Sequence, residues 1–200
     1  GYDNSPVYSP DGKFIAWESM ERDGYESDKI RLFTMNLETS EKKDLSESFD
    51  QNCGSIEWSD DATQIFFSSD YHARFQIYKA DLSTNEITAV TKGDYNFYTA
   101  LYANDKLVTT MQSMSKPTEI YSVDLKTGEQ IDISQVNKDI LAQLKMGKVE
   151  ERWLKTTDGK EMLTWVIYPP HFDSTKTYPA LLYCQGGPQS SVSQFWSYRW

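Results

Sequence analysis

Two adjacent glycines and a proline follow an apolar stretch near the end of the chain, and these residue types could form a loop that binds an anion. The segment reads LLYCQGGPQSS over residues 181–191, with Gln185 directly before Gly186 and Gly187. Acyl transfer builds negative charge on a carbonyl oxygen, and preorganised backbone N–H groups stabilise that charge. Glycine allows the close backbone approach that such donors need. An ordinary turn after a strand is the alternative interpretation of the glycines taken alone.

Other residues that could take part in acyl-transfer chemistry are few. No serine lies in a G-x-S-x-G pattern, so the chain contains no nucleophile elbow. His72 and His171 lie in predicted loops and are interpreted as surface histidines rather than as general bases. Arg74 could contact a substrate carboxylate or carbonyl, although a solvent-facing or salt-bridged arginine is the simpler interpretation.

Composition excludes several classes of function. The 200 residues carry a formal net charge of −10, which disfavours nucleic acid and anionic membranes as partners. No apolar run approaches the roughly 18 residues that span a bilayer, so a soluble protein without membrane insertion is expected. Cys53 and Cys184 lie far apart and are interpreted as free thiols. With two histidines and no paired cysteines, neither a metal nor another cofactor is expected.

The loop that contains Gly186 and Gly187 is called here the glycine loop. The elements that must position it begin with an internal repeat. Three segments share an aromatic residue, a turn with an acidic residue and a short apolar strand: VYSPDGKFIAWESM, IEWSDDATQIFFSSD and the weaker ALYANDKLVTTMQS. Their turn residues Asp11, Asp61 and Asp105 lie 50 and 44 positions apart. Such turns close hairpins, because aspartate bonds its own backbone and glycine accepts positive φ.

The second half of each unit repeats as well. Asn36, Asp81 and Asp124 each follow an alternating strand and precede a polar turn, at intervals of 45 and 43 positions. A period of about 40 to 50 residues with four short strands is typical of a β-propeller blade. A generic β-sandwich is the alternative, but it gives no reason for turn chemistry at a nearly constant interval.

An aromatic side chain occupies the same point of each unit, at Tyr8, Trp58 and Tyr102, where it could fill the gap between twisted sheets. The fold class is therefore mainly β, with about three four-stranded blades. A propeller ring typically needs four to eight blades, so further blades are expected to precede Gly1.

The pattern changes after the third blade. Residues 136–146 show helical spacing, a hairpin is predicted at Asp158-Gly159, and Ala180–Cys184 reads as a buried strand of a beginning α/β domain. The predicted organisation is propeller blades over 1–135, a linker with a short helix over 136–147, and the start of an α/β domain over 148–200, which the resemblance described next identifies as an α/β-hydrolase domain.

These motifs resemble a known family. YSPDGKFIAW and WSDDATQIFF are similar to the propeller repeats of TolB-like proteins and of the prolyl oligopeptidase family. The order of residues from RWLKTTDGKEM to QGGPQSS closely resembles the junction at which the propeller of that family meets its α/β-hydrolase domain. The GGP sequence is most similar to the acylaminoacyl-peptidase and dipeptidyl-peptidase branches.

The resemblance implies a serine peptidase that cleaves short peptide substrates near the amino terminus, with the propeller restricting access. Gly187 would be an oxyanion donor and Gly186 would permit its approach, while Gln185 stands where relatives often carry His or Tyr. The catalytic Ser, Asp and His would lie after Trp200, so these 200 residues alone would be inactive. No cofactor is implied.

The resemblance also bears on binding residues and partners. Dipeptidyl peptidases hold the substrate amino terminus with acidic side chains, which makes Glu150 and Glu151 candidates; a structural or rim role is the alternative. The implied partners are peptide substrates and the remaining blades and hydrolase domain of the same protein, and a homo-oligomer stays open. Bacterial relatives suggest a periplasmic or otherwise extracytoplasmic location, with a cytoplasmic one as the alternative. A TolB-like scaffold without catalysis is the competing function.

Overall fold

Turns at a regular interval divide the first two thirds of the chain into three antiparallel sheets, each with four strands in chain order. The computed structural model describes residues 1–184, 186 and 190–198. The first sheet contains β1 (Asp3–Tyr8), β2 (Phe14–Ser19), β3 (Arg31–Asn36) and β4 (Lys42–Asp44). The second contains β5 (Gly54–Trp58), β6 (Gln64–Asp70), β7 (Phe75–Asp81) and β8 (Ile87–Ala89). The third contains β9 (Asn96–Ala103), β10 (Lys106–Ser113), β11 (Lys116–Asp124) and β12 (Gln130–Asp132). The predicted partial propeller of three blades is confirmed.

The turn between the first two strands is built in the same way in blades 1 and 2. Ser9 Oγ donates to Asp11 Oδ1 (2.6 Å), and Ser59 Oγ donates to Asp61 Oδ1 (2.7 Å). In both turns the next residue has positive φ, +69° at Gly12 and 56° at Ala62. Blade 3 replaces this turn with Asn104-Asp105, both at positive φ, which explains why its sequence match is weaker.

The turn between the last two strands repeats in all three blades. A side-chain oxygen at the end of the third strand accepts hydrogen bonds from the backbone N–H groups two and three residues later, as in an Asx turn. The acceptors and the bonded N–H groups are Asn36 with Glu38 (2.9 Å) and Thr39 (3.0 Å), Asp81 with Ser83 (2.9 Å) and Thr84 (3.0 Å), and Asp124 with Lys126 (3.0 Å) and Thr127 (2.9 Å). This common bonding is the physical cause of the repeat in sequence.

A third repeat was not found in the sequence. In each blade a hydroxyl oxygen just after the fourth strand accepts a hydrogen bond from a backbone N–H of the third strand. The fourth strand is too short to supply a carbonyl at this point. The bonds join Leu32 to Ser46 (2.9 Å), Ile77 to Thr91 (2.8 Å) and Ile120 to Ser134 (2.9 Å). The hydroxyl therefore satisfies a backbone donor that would otherwise lack a partner.

The blades pack face to face through two apolar cores. The middle blade supplies both faces: Ile65 and Phe67 point into the core shared with blade 1, while Phe66 points into the core shared with blade 3. Consecutive strand residues alternate between faces, so a blade buried on both sides needs a continuous apolar run.

Two of the three predicted gap-filling aromatics, Trp58 and Tyr102, occupy the spaces between blades. Trp58 is 4% exposed and its Nε1 donates to the carbonyl of Val7 in blade 1 (3.2 Å). Tyr102 stacks on Phe66 of blade 2 with ring centroids 5.6 Å apart. Tyr8 is 65% exposed, because no described sheet covers the outer face of blade 1.

The region after blade 3 is less regular. Helix α1 spans only Lys138–Leu141, so the helical spacing over residues 136–146 produces little more than one turn. Strands β13 (Val149–Lys155) and β14 (Glu161–Ile167) form the hairpin predicted at Asp158-Gly159. In the described part of the chain no helix has the length and hydropathy needed to cross a bilayer.

The prediction of a buried strand at Ala180–Cys184 is wrong for this structure. These residues form no strand, and the Leu181 and Leu182 side chains are almost wholly exposed. The physical reason is that no described strand lies beside the segment, so no sheet face covers it.

Candidate functional site

Arg74 joins blade 2 to the β13–β14 hairpin. It lies in the turn between β6 and β7, and its guanidinium forms an ion pair with Glu151 of β13. Its Nε donates to Asp94 Oδ1 (2.7 Å), its Nη1 donates to the carbonyl of His72 (2.9 Å), and its guanidinium carbon lies 4.7 Å from the centre of the Trp165 ring. The side chain is 18% exposed. The interpretation of Arg74 as a salt-bridged residue is confirmed.

These contacts keep both partners charged. Burial opposes the charge on Arg74, but the hydrogen bonds to Glu151 and Asp94 outweigh it and raise the pKa of Arg74. The hydrogen bonds from Arg74 and Trp153 lower the pKa of Glu151. Arg74 and Glu151 therefore bind each other in this structure, and a role for either in substrate binding stays a prediction.

Glu150 lies apart from Glu151. Adjacent residues of a strand point to opposite faces, so the two carboxylates do not converge. Glu150 accepts hydrogen bonds from Lys148 (2.8 Å), Arg152 (2.9 Å) and the Tyr168 hydroxyl (3.2 Å). The bonds from Lys148 and Arg152 lower its pKa to about 2. The sequence suggested a pair of acidic residues, and the structure separates them.

The glycine loop is described at Gly186, whereas the predicted oxyanion residues Gln185 and Gly187 lie outside the described residues. Gly186 is exposed, and a Cβ built on it would meet no atom within 4 Å. The hydroxyl of Ser190 donates to the carbonyl of Gly186 (3.0 Å).

Residues Ser191–Trp196, called here the docking segment, return to the propeller. Ser191 Oγ donates to Asp70 Oδ2 (2.6 Å), at the end of β6. Ser193 and Gln194 are buried, Gln194 to 2% exposure. The remaining bonds to the blades run from Asn96 Nδ2 to Ser193 Oγ (2.9 Å), from the Met114 N–H to Gln194 Oε1 (3.2 Å) and from the Trp196 N–H to Gln112 Oε1 (3.0 Å). Blades 2 and 3 therefore hold the chain that leaves the glycine loop.

An open cavity of about 500 Å³ lies between the loops of blades 1 and 2, with the docking segment at its edge. Tyr71 and His72 stack at one side, with ring centroids 3.8 Å apart. The Lys29 ammonium is occupied, because it donates to two backbone carbonyls at 3.0 Å. The lining residues are Ser27, Lys29, Asp50, Gln51, Asn52, Asp70, Tyr71, His72, Ala73 and Ser191.

Asp70, Ser190 and Ser191 belong to this site but were not identified in the sequence. The two serines come three and four residues after Gly187, and this position was the available signal. Nothing in the local sequence relates Asp70 to residues 121 positions away. His72 and His171 are exposed, as predicted.

Cysteines and potential metal ligands are the other groups that could carry chemistry. Cys53 is buried and Cys184 is exposed, and both are free thiols as predicted. Burial raises the pKa of Cys53 to about 12, so its thiol stays protonated. Among the residues described, no three His, Cys, Asp or Glu side chains are grouped so that they could hold a metal ion.

Comparison with known proteins agrees with this architecture. The PD40 family model, described as the TolB beta propeller domain, matches residues 1–142. The chain belongs to this TolB beta propeller family. The match covers the three blades and α1, and ends before the hairpin.

Relatives of this TolB beta propeller chain extend the likeness beyond the blades. Dipeptidyl-peptidase 5 of Porphyromonas gingivalis is 46% identical over all 200 residues, and the chain spans 29% of that protein's length. The structure of the Pyrococcus horikoshii acylaminoacyl peptidase superposes on 94% of this chain, and the match covers 28% of the peptidase chain, with a TM-score of 0.78 and 19% identity. The structure of Porphyromonas gingivalis dipeptidyl peptidase 4 superposes on 96% of this chain, and the match covers 27% of its own chain, with a TM-score of 0.69 and 19% identity. The chain is therefore similar in sequence to a dipeptidyl-peptidase and in fold to an acylaminoacyl peptidase, as the resemblance implied.

Proposed function

We propose that the protein to which this chain belongs is a serine peptidase that releases short peptides or acylated residues from the amino termini of oligopeptides. One observation carries the proposal: Ser191, four residues after Gly187, is hydrogen-bonded to Asp70 of blade 2 at the edge of an open cavity, so the chain just after the two glycines is held beside that cavity. Backbone donors beside a cavity are the arrangement that stabilises an oxyanion during acyl transfer. The names of the relatives supply the substrate class.

In this proposal each part of the chain has a role. Residues 1–135 are propeller blades that limit access to short peptides, residues 136–147 are a linker, and residues 148–200 begin the hydrolase domain. Gly187 donates its N–H to the oxyanion, and Gly186 allows the approach. The 200 residues have no nucleophile elbow and are inactive alone. An extracytoplasmic location is part of the same proposal.

The test is fluorophosphonate labelling of the full-length protein, followed by mass mapping of the labelled peptide. We expect one labelled serine that lies after Trp200 and is protected by peptide substrates. Peptides with free and acetylated amino termini then separate dipeptide release from removal of acylated residues. Cleavage in the middle of long peptides, with no product from the amino terminus, would contradict the proposed specificity.

A second function is favoured by the family match itself, which is to a TolB propeller and covers the blades. In that case the blades form a binding or scaffolding module without catalysis. A correctly folded full-length protein that resists labelling and cleaves no peptide would support this module over the peptidase.

A further inference from the structure

The open cavity beside the docking segment carries more negative than positive charge. The carboxylates of Asp50 and Asp70 line it, and Lys29 is the one lysine or arginine among the described residues of its wall. The Lys29 ammonium is held by the carbonyls of Ser46 and Phe49, both at 3.0 Å, so it is already engaged. The cavity therefore favours a positively charged group over an anion.

Asp70 is the better placed of the two carboxylates. It ends β6, and its Oδ2 accepts the hydroxyl of Ser191 (2.6 Å). Its Oδ1 is buried and has no hydrogen-bond partner among the described residues. A carboxylate with so few donors keeps much of its negative charge uncompensated, so a ligand with a positive charge would be stabilised beside it.

An aromatic wall stands next to Asp70. The Tyr71 side chain is 50% exposed and its ring stacks on His72, with centroids 3.8 Å apart and an angle of 19° between the planes. His72 in turn meets Trp153 of β13 edge to face, at 5.1 Å. An exposed aromatic face beside a carboxylate can bind an ammonium or guanidinium group and pack against the aliphatic stem that carries it.

The backbone that presents this wall is strained. Tyr71 and Arg74 close a two-residue hairpin turn, with N–H to carbonyl distances of 3.0 and 3.2 Å. The residues within the turn, His72 and Ala73, have φ of 51° and 55°, where Asn-Gly is favoured. Arg74 Nη1 donates to the carbonyl of His72 (2.9 Å) and helps to hold the turn. Strained turns that neighbouring contacts maintain cluster at functional sites.

The cavity also lies close to the described end of the glycine loop. Ser191 lines the cavity, and the preceding residue, Ser190, donates its hydroxyl to the carbonyl of Gly186 (3.0 Å). One residue therefore separates the cavity wall from a direct contact with Gly186. A substrate side chain close to the reacting bond is the group that such a cavity would receive.

We propose that this cavity is a specificity site for a lysine or arginine side chain of the peptide substrate. The carboxylates of Asp70 and Asp50 bind the charged end, and the ring of Tyr71 packs against the methylene stem. A side chain suits the cavity better than a lone amino terminus, because a volume of about 500 Å³ with an aromatic wall exceeds what one ammonium group fills. The inference rests on the proposed function, because it takes the substrate to be a peptide.

The test compares fluorogenic dipeptide substrates of the full-length protein. They carry lysine, norleucine or glutamate at the first or the second residue, with alanine at the other. Norleucine has a stem like that of lysine without the charge. We expect kcat/KM to be about tenfold higher with lysine than with norleucine at one of the two positions, and lowest with glutamate. The advantage of lysine should become smaller as salt is added.

Variants show whether the preference belongs to the cavity. Asp70→Asn and Asp50→Asn should each reduce the ratio of lysine to norleucine cleavage, through KM, and leave norleucine cleavage unchanged. Tyr71→Ala should lower kcat/KM for both peptides about threefold to fivefold, and Tyr71→Phe should restore both. Asp50 is exposed, so its variant remains informative if the Asp70 variant fails to fold. Asp23→Asn and Tyr25→Ala are the matched controls at exposed residues outside the cavity.

Calorimetry with the product dipeptides distinguishes this inference from the proposed function. A dipeptide with lysine should bind more tightly than its norleucine counterpart, and Asp70→Asn should remove the difference, whether or not the protein cleaves peptides. Such binding by a protein that takes no fluorophosphonate label and cleaves no peptide would overturn the proposed function alone.

Three results would overturn the inference itself. The first is equal cleavage and equal binding of lysine and norleucine peptides at both positions. The second is a preference for lysine that Asp70→Asn and Asp50→Asn leave unchanged. The third is loss of binding on acetylation of the amino terminus with no difference between lysine and norleucine, which would assign the cavity to the amino terminus.

Discussion

Arg74 and Glu151 lie 77 positions apart and form an ion pair that connects blade 2 to the β13–β14 hairpin. Arg74 also binds Asp94 and covers Trp165, so one side chain ties together three parts of the chain. Arginine suits this position, because its planar fork can bind two carboxylates and an aromatic ring at once.

Removing this connection should destabilise the protein. In a double-mutant cycle with Arg74→Ala and Glu151→Ala, we expect a coupling energy of about 1 kcal/mol, measured by denaturant unfolding of the full-length protein. Arg74→Lys keeps the charge but loses the fork, and should restore only part of the stability. The exposed pair Lys126 and Asp105 is the control and should show no measurable coupling. Equal coupling in the two pairs would contradict the role given to Arg74.

Trp58 should contribute more to stability than Trp17, although each donates one indole hydrogen bond. The Trp58 bond crosses from blade 2 to blade 1 inside the core, whereas Trp17 bonds Asp3 within one sheet. Trp58→Ala should cost about 3 to 5 kcal/mol of unfolding free energy. Trp17→Phe should change it by no more than about 0.5 kcal/mol. Thermal and denaturant unfolding measure both changes in unfolding free energy. If Trp58→Phe and Trp17→Phe lower it by similar amounts, the hydrogen bond between blades does not contribute as described.

The hydroxyl of Thr91 should be needed for stability and its methyl group should not. Thr91→Val keeps the shape but leaves the N–H of Ile77 without its acceptor, at an expected cost of about 1 to 3 kcal/mol. Thr91→Ser should cost less, because blade 1 already uses Ser46 at this position. Hydrogen exchange at the Ile77 amide provides the local readout, and equal protection in both variants would contradict this explanation.

The Asx turn of blade 2 should depend on pH. Hydrogen bonds from Ser83 and Thr84 lower the pKa of Asp81 to about 2, below its ordinary value of about 3.9. Its stabilisation is therefore complete above about pH 4 and is lost as the pH falls towards 2. The difference in unfolding free energy between the parent and Asp81→Asn should therefore become smaller as the pH falls from about 4 to 2. Denaturant unfolding at several pH values measures it.

Blade 1 offers the reciprocal variant. It has Asn36 at the corresponding position, with the same two backbone bonds. Asn36→Asp should introduce the same dependence, with stability gained above pH 4 and lost at lower pH. If the unfolding free energies of Asp81→Asn and Asn36→Asp each differ from that of the parent by the same amount at every pH, the charge of the turn residue has no effect.

The sequence predicted the blades well because their signals are local. Asp11, Asp61 and the Asx residues act within a few positions, so hydrogen bonds of single turns appear directly as a repeat. The serines and threonine that follow the fourth strands have the same spacing and could have been found in this way.

Features that depend on distant partners were not predictable. The apolar run at Ala180–Cys184 indicated burial, but burial requires a neighbouring strand, and none is described beside it. The helical spacing after blade 3 yielded a single turn at α1, because its apolar residues Val136, Ile140 and Leu144 are exposed. A short helix without packing is marginal in water. The contact of Asp70 with Ser191 likewise depends on how two distant segments meet.

The docking segment has a practical consequence for protein engineers who exchange domains between related propeller proteins. A chimera joined at the linker would take its blades from one parent and Ser191–Trp196 from the other. Its four hydrogen bonds would then be made between unmatched sequences. Hybrid proteins should therefore inherit the docking segment together with its partners in β6, β9, β10 and the turn after β10 from the same parent, even though 80 to 121 residues separate them along the chain.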